Sequence, residues 1–372
     1  MSTVSVVACE SYEPHAVRQA LSGLLAPLGG MVRFVRPGMT VLLKPNLLAA
    51  AAPETAVDTH PALVRAVADL VTELGGQVQI GDSPGGPVEV ASQVWRESGL
   101  ADLATQADLR LVPFDSASWR PLNGTGYFIA KPVLEADLVI NLPKLKTHAL
   151  VLYTGAIKNL FGVIPGTRKR ELHVRAPGIA DFSRVLVDML ELTRPGLTIM
   201  DGVLGLEGNG PGTGGQPHAF KCMAASTDPV ALDAVLAQAL GYRPGHVRHI
   251  EQASARELGV AALDRIQVVG EPRAVDFGKV RLPAAHWYFN VPAGITRPLD
   301  GLLKAKPRFD SEACAGCGRC AQVCPKKALT VGRPPSVDLG ECIGCLCCAE
   351  VCPHAAVEPR RSLLARLAGL QR

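Results

Sequence analysis

Apolar positions along the first 270 residues alternate between two patterns. Short unbroken runs at Val4 to Ala8, Thr40 to Leu43, Val78 to Gly81, Leu109 to Pro113 and Leu138 to Leu142 have the length of buried strands. Between them apolar residues recur at helical spacing, near Val17 to Leu25, His60 to Leu74 and Val88 to Leu100. In the second of these, Leu63, Val67, Leu70, Val71 and Leu74 share one face. The alternation continues with a helix over Ile179 to Leu192, strands at Leu197 to Met200 and Phe220 to Ala225, a helix over Pro229 to Leu240, and a strand at Arg265 to Val269. Strands buried on both faces and joined by amphipathic helices predict an α/β fold, with a mostly parallel sheet flanked by helices.

The last quarter of the chain follows a different rule. Glu271 to Pro307 is rich in proline and weakly periodic, and reads as a connection. After it, Cys-x2-Cys-x2-Cys-x3-Cys-Pro occurs twice, as Cys314, Cys317, Cys320, Cys324 and as Cys342, Cys345, Cys348, Cys352. Disulfides need an oxidising compartment, and zinc sites present paired Cys-x2-Cys units without the third, three-gap cysteine. The spacing is instead that of the bacterial two-cluster ferredoxin, a small α+β domain holding two [4Fe-4S] clusters. In that pattern the fourth cysteine ligates the other cluster. Cys314, Cys317 and Cys320 then join Cys352, and Cys342, Cys345 and Cys348 join Cys324. Cys347 lies off the ligand spacing and is read as a spectator, and Cys9 and Cys222, beside or within strands, as buried thiols. The expected domains are 1–299 (α/β), 300–360 (two-cluster, ferredoxin-like) and 361–372, a basic helical tail with Leu363, Leu364, Leu367 and Leu370 on one side.

Composition narrows the function classes. A net charge of +4 over 372 residues does not suggest a polyanion binder. The basic segment lacks the interleaved aromatics of a nucleic-acid groove. No run reaches the length of a membrane span, and MSTVSVVACESYEP does not read as an export signal, so none is expected. With thiolate clusters to maintain, a reducing cytoplasm is the expected location.

Chemistry should gather where loops leave the carboxyl ends of the strands. Lys44, Pro45 and Asn46 follow the second strand, and Gly81, Asp82, Ser83, Pro84, Gly85 and Gly86 the third. Pro143 to His148 follows Leu142, and Asp201-Gly202 follows Met200. From Asn141 to Arg175 the chain carries Lys144, Lys146, Lys158, Arg168, Lys169, Arg170 and Arg175 with His148 and His173, against Glu171 alone. For Arg168 to Arg170 a solvated basic face is an equal alternative. Lys144, Lys146 and Lys158 sit among apolar residues, as lysines aimed at an anion do. A lone histidine is most often a structural hydrogen-bonding residue, and a metal ligand is the other alternative, but His148, beside Thr147 and two lysines, is a candidate proton donor, with Lys146 and Lys158 as its catalytic companions. Gly210 to Gly215 satisfies G-x-G-x-x-G but precedes a strand instead of opening a helix, so a lid is expected there, not a nucleotide site.

Lys44-Pro45-Asn46, Gly81-Asp82-Ser83-Pro84, Asn141 to His148 with Thr154 and Lys158-Asn159-Leu-Phe-Gly162, and Asp201-Gly202 with Glu207-Gly-Asn209-Gly-Pro together resemble the DUF362 family over about residues 40 to 270. Many of its members carry the same two-cluster module. The resemblance implies this architecture and these crevice residues, and no reaction. Lys44, Asn46, Asp82, Ser83, Lys144, Thr147, Thr154, Asn159, Asp201, Glu207 and Asn209 are the expected substrate-binding set. The expected function is an iron–sulfur oxidoreductase that takes electrons from an external donor protein and passes them to a small anionic substrate. An electron-transfer subunit docked to a partner redox enzyme is the alternative, and a redox-sensing nucleic-acid binder a lesser one.

Overall fold

The computed structural model describes residues 1–84, 88–166, 168–283 and 305–360. The 361–372 tail, Gly85, Gly86 and most of the expected connection lie outside the described residues.

The first half alternates as the hydrophobic pattern demands: β1 (Ser2–Ala8), α1 (Pro14–Leu25), β2 (Thr40–Pro45), α2 (Pro61–Glu73), β3 (Gln77–Ile80), α3 (Val88–Glu97), α4 (Leu100–Gln106) and β4 (Arg110–Leu111). A hairpin follows, β5 (Ala117–Leu122) with β6 (Thr125–Ala130), then α5 (Lys131–Glu135) and β7 (Leu138–Leu142). Next come β8 (Lys144–His148), β9 (Leu152–Thr154), α6 (Ala156–Asn159), α7 (Arg168–Arg175) and α8 (Ile179–Thr193). The body ends with β10 (Leu197–Gly208), β11 (Gly215–His218), β12 (Cys222–Ser226), α9 (Pro229–Ala239), α10 (Arg248–Ala255) and β13 (Ile266–Gly270).

The main sheet runs β13-β1-β12-β10-β7-β2-β3-β4. Its pairings are parallel except where β12 lies antiparallel between β1 and β10. Strand side chains alternate between faces, and β2 divides accordingly. Leu42 joins the core under α8, α9 and α10, while Val41 and Leu43 join the core under α1 and α2. Helices thus cover both faces, as expected.

Three expectations change. Lys144 to His148 is not a loop leaving β7 but a strand, parallel to β10 and antiparallel to β9. All five of its residues are buried. A buried strand built from lysine, threonine and histidine carries no apolar run, so the hydrophobic pattern is blind to it. Nor does the strand from Leu197 end at Met200: it continues to Gly208, which puts Asp201, Gly202 and Glu207 inside a strand. The hairpin β5–β6 was not expected at all; it is half exposed, and Trp119 packs edge-on against Phe128.

The C-terminal module pairs β14 (Lys306–Phe309) with β17 (Val357–Arg360), and β15 (Leu329–Thr330) with β16 (Ser336–Val337). Two short helices, α11 (Arg319–Val323) and α12 (Cys347–Glu350), each begin beside a cysteine loop. The first loop turns through Gly318 at φ 72°. In the second, Leu346 takes the same turn at φ 60°, an uncommon conformation for a bulky residue.

Candidate functional site at the junction of body and module

A cleft of about 90 Å³ opens where the carboxyl edge of the sheet meets the module. Its floor comes from Asn46 after β2, Asp82 after β3, and Lys158, Asn159, Phe161 and Gly162 in and after α6. Lys169, Arg170 and His173 on α7 form one side, and Val323, Cys347, Glu350 and Val351 of the module form the roof.

Fixed polar contacts organise the floor. Lys44 donates to Asp82 at 2.7 Å, both buried, and the other Asp82 oxygen accepts from Leu47 N at 2.8 Å. Lys144 donates to Asp201 at 2.9 Å, and Asp201 also accepts from Tyr12 Oη and His60 N. Burial pulls both lysines below their usual pKa, and the paired carboxylates oppose the shift. Lys146 donates to Asn46 Oδ1 at 2.6 Å and to Val57 O. Asn46 Nδ2 then donates to Asn159, Asn159 Nδ2 to Asn141, and Asn141 Nδ2 to Ala156 O, so three side-chain amides form one relay. Behind it Asp58 Oδ1 accepts from Leu48 N, while its Oδ2 has no hydrogen-bond partner among the described residues. Burial raises the Asp58 pKa and lowers that of nearby Lys146.

Of the residues expected to act on a ligand, Asn46, Asp82, Lys158 and Asn159 line the cleft. Lys44, Lys144 and Lys146 lie behind its wall, with their amines bonded to internal partners. Thr147 Oγ1 donates to Gly208 O at 2.8 Å and clasps β8 to β10. Glu207 accepts from Arg281 N at 2.9 Å, away from the cleft. Ser83 offers its carbonyl to Lys169. Thr154 is buried, with its hydroxyl unpartnered among the described residues, and neither it nor Asn209 lines the cleft.

His148 differs from its expected role. It is buried, its Nδ1 accepts from Leu150 N at 3.0 Å, and its Nε2 lies 3.4 Å from Glu350 Oε1. Burial holds its pKa at about 4 against the raising effect of Glu350. At neutral pH the ring is uncharged and faces the module. Glu350 is the reciprocal case. Burial works against its charge, but His148, Lys158 and His173 outweigh burial and hold its pKa at about 2.

Among the described residues Lys158 Nζ makes no hydrogen bond or ion pair; it sits 5.4 Å from the Phe161 ring centre and 5.9 Å from that of Phe182. Lys169, within the run given equal odds as a solvated face, reaches the cleft. Burial, with Lys44 and Lys158 nearby, lowers its pKa to about 7 despite Asp82. Glu350 and Cys347 also escaped sequence reasoning, because nothing in a cysteine spacing reveals which side of a loop faces a neighbouring domain. The expected lid does not cover the cleft. Its residues grip the module: Thr213 Oγ1 donates to Cys352 O at 2.5 Å and accepts from Ala355 N at 3.2 Å, and a Cβ on Gly212 would come within 2.7 Å of Glu350 O.

The module holds two further cavities. Cys314, Cys317, Cys320 and Cys352 line one, and Cys324, Cys342, Cys345, Cys347 and Cys348 the other. Their remaining walls are mostly apolar, as with Phe309 and Ala356 in the first and Ile343 and Leu346 in the second. Backbone amides approach the sulfurs, with Gly316 N 3.4 Å from Cys314 Sγ and Ala328 N 3.3 Å from Cys324 Sγ. No cysteine is in a disulfide. Grouped thiols with amide donors in apolar walls suit thiolate-bound iron–sulfur clusters.

A model of the domain of unknown function DUF362 matches residues 41–238, more than half of the chain. The chain belongs to the DUF362 family. Its C-terminal residues 306–353 match a 4Fe-4S dicluster domain, so this DUF362 protein carries a ferredoxin-like module for iron–sulfur electron transfer. It is 37% identical over 291 residues to a thylakoid-associated protein of Synechocystis sp., covering 76% of this chain and 88% of that one. Among the described residues no helix is long and apolar enough to cross a membrane. Solved structures align only loosely. The lactate racemase apoprotein of Thermoanaerobacterium thermosaccharolyticum gives a TM-score of 0.38 at 12% identity, over 62% of this chain and 55% of that one. A Thermotoga maritima protein gives 0.37 at 10%, over 67% and 60%. The chain thus spans little more than half of each.

Proposed function

We propose that this DUF362 protein is an iron–sulfur oxidoreductase that delivers electrons from its module to a small anion held in the junction cleft. The carrying observation is a shared wall: Cys347 lines both the cleft and the cavity of Cys324, Cys342, Cys345 and Cys348. In this reading residues 1–299 form the substrate body and 300–360 the electron-carrying module. Cys314, Cys317, Cys320 and Cys352 would hold one cluster, and Cys342, Cys345, Cys348 and Cys324 the other. Bound clusters of this type exchange single electrons at potentials set by hydrogen bonding and exposure.

The chain's own residues divide the remaining work. Lys158, without an internal ion pair among the described residues, anchors the anion and stabilises negative charge that develops on it. Lys169, whose pKa burial lowers to about 7, close to the operating pH that suits a general acid, serves as the proton donor in place of His148. His148 instead lies behind the roof, with its Nε2 3.4 Å from Glu350 Oε1. Phe161, Val323 and Val351 exclude water from the space between.

Anaerobic purification followed by mass spectrometry of retained small molecules tests the reading, with electron paramagnetic resonance of the reduced protein before and after adding carboxylates and inorganic phosphate. A retained anion, or an anion-dependent shift of the cluster signals that Lys158→Met abolishes, is expected. Signals indifferent to every anion would sink the proposal. The internal pairing of Lys44, Lys144 and Lys146 favours a second reading, an electron-transfer subunit docked to a redox enzyme. Its mark would be a stoichiometric protein partner with no small molecule retained.

A further inference from the structure

The two cysteine-lined cavities are unlike in what they face. The one holding Cys324, Cys342, Cys345 and Cys348 borders the cleft through Cys347, whereas the one holding Cys314, Cys317, Cys320 and Cys352 shares no lining residue with it. Among these eight cysteines Cys317 alone is exposed. In the same cavity lining Ala315 and Gly332 are exposed, and Val331, 67% exposed, projects beside Gly318. Arg319 and His354 line this cavity and no acidic residue does. Arg333, also exposed, donates from Nε to Cys314 O at 3.0 Å. A small apolar patch with a basic rim over the most exposed cysteine has the character of a transient electron-transfer contact, which buries little surface.

We propose that the face centred on Val331 and Cys317 docks a reduced, acidic one-electron carrier protein, making the Cys317 side the entry for electrons and the Cys347 side their exit. In each encounter the carrier loses one electron and the module gains one; no bond forms or breaks and no proton moves. The proposal rests on the cluster reading above but not on the identity of the anion. Opposite charges across such a rim steer association and govern its rate more than its strength.

Stopped-flow bleaching of the iron-loaded protein by a reduced plant-type [2Fe-2S] ferredoxin, an acidic carrier, provides the test. Val331→Asp should slow the second-order rate on the order of tenfold at low salt and Val331→Lys should raise it. The differences should shrink once salt approaches about 1 M, where the screening length is near 3 Å. Reduction by dithionite should be the same in all variants. Leu339→Asp, at a residue 61% exposed on the module but outside the lining of the first cavity, should match the parent protein. Equal rates for both Val331 variants, or slowing by Leu339→Asp alone, would overturn the docking face. Iron well below about eight atoms per chain would instead overturn the cluster assignment, and the docking proposal with it.

Discussion

A methyl group added at Gly162 would meet Asp82 Oδ1 at 2.1 Å and Lys44 Nζ at 2.5 Å. Both are the tips of side chains, but each is buried and bonded to the other, so neither can swing aside without leaving a lone buried charge. Gly162→Ala is therefore expected to lower unfolding stability by about 3 kcal/mol, in the range for breaking a buried pair, as read by chemical denaturation. A second prediction concerns histidine. Burial holds His148 and His173 at about 4 and His249 at about 3, against 6.5. Between pH 6.5 and 4 the unfolded chain takes up protons that the native chain does not, so stability is lost as pH falls through that window. His249 has neither ring nitrogen hydrogen-bonded among the described residues. His249→Phe should reduce the slope of unfolding free energy against pH there by about 1.4 kcal/mol per unit, one proton's share. An unchanged slope would mean that His249 is not neutral in the fold.

At the scale of elements, α6 is four residues long and depends on a distant partner. Asp233 on α9 accepts from Ala156 N at 2.7 Å, Ile157 N at 2.9 Å and Tyr153 Oη at 3.1 Å, and so caps the helix that carries Lys158 and Asn159. Asp233→Ala leaves those donors unpaired in the core. The expected effect is a stability loss of about 3 kcal/mol, with a larger loss of anion-dependent spectral shift than Asp233→Asn produces. Such elements explain how much of the site was legible. β1, β2, β7 and the long helices announce themselves because apolar residues outnumber every alternative there. β8 does not, since its polar side chains are buried only by courtesy of Asp201, Asn46 and Gly208, which lie far away in sequence. Lys144, Lys146 and Lys158 stand out in the sequence among apolar neighbours, but only partner distances reveal that the first two are already bonded internally, whereas Lys158 makes no hydrogen bond or ion pair among the described residues.

At the scale of the whole molecule, the polar contacts between body and module among the described residues include Arg170 Nη1 to Gln322 O at 3.0 Å, Arg319 to Gln93 and the two bonds of Thr213, with His148 Nε2 3.4 Å from Glu350 Oε1. Thr213→Val removes both of the latter while keeping the side chain's shape. Amide hydrogen exchange around 350–357 should quicken several-fold while β10 and β12 keep their protection; equal protection in the variant would show that the loop is not a fastening. The cysteine spacing made the module readable in isolation, yet its orientation was not, because docking is decided by single residues such as Glu350 and Thr213. The floor of the cleft, by contrast, is braced by the Lys44–Asp82 and Lys144–Asp201 pairs and the three-amide relay. On that bonding the roof is expected to be the more compliant of the two walls. Electron tunnelling decays exponentially with distance, so on the proposed path a roof displacement too small to release a ligand would still throttle the current.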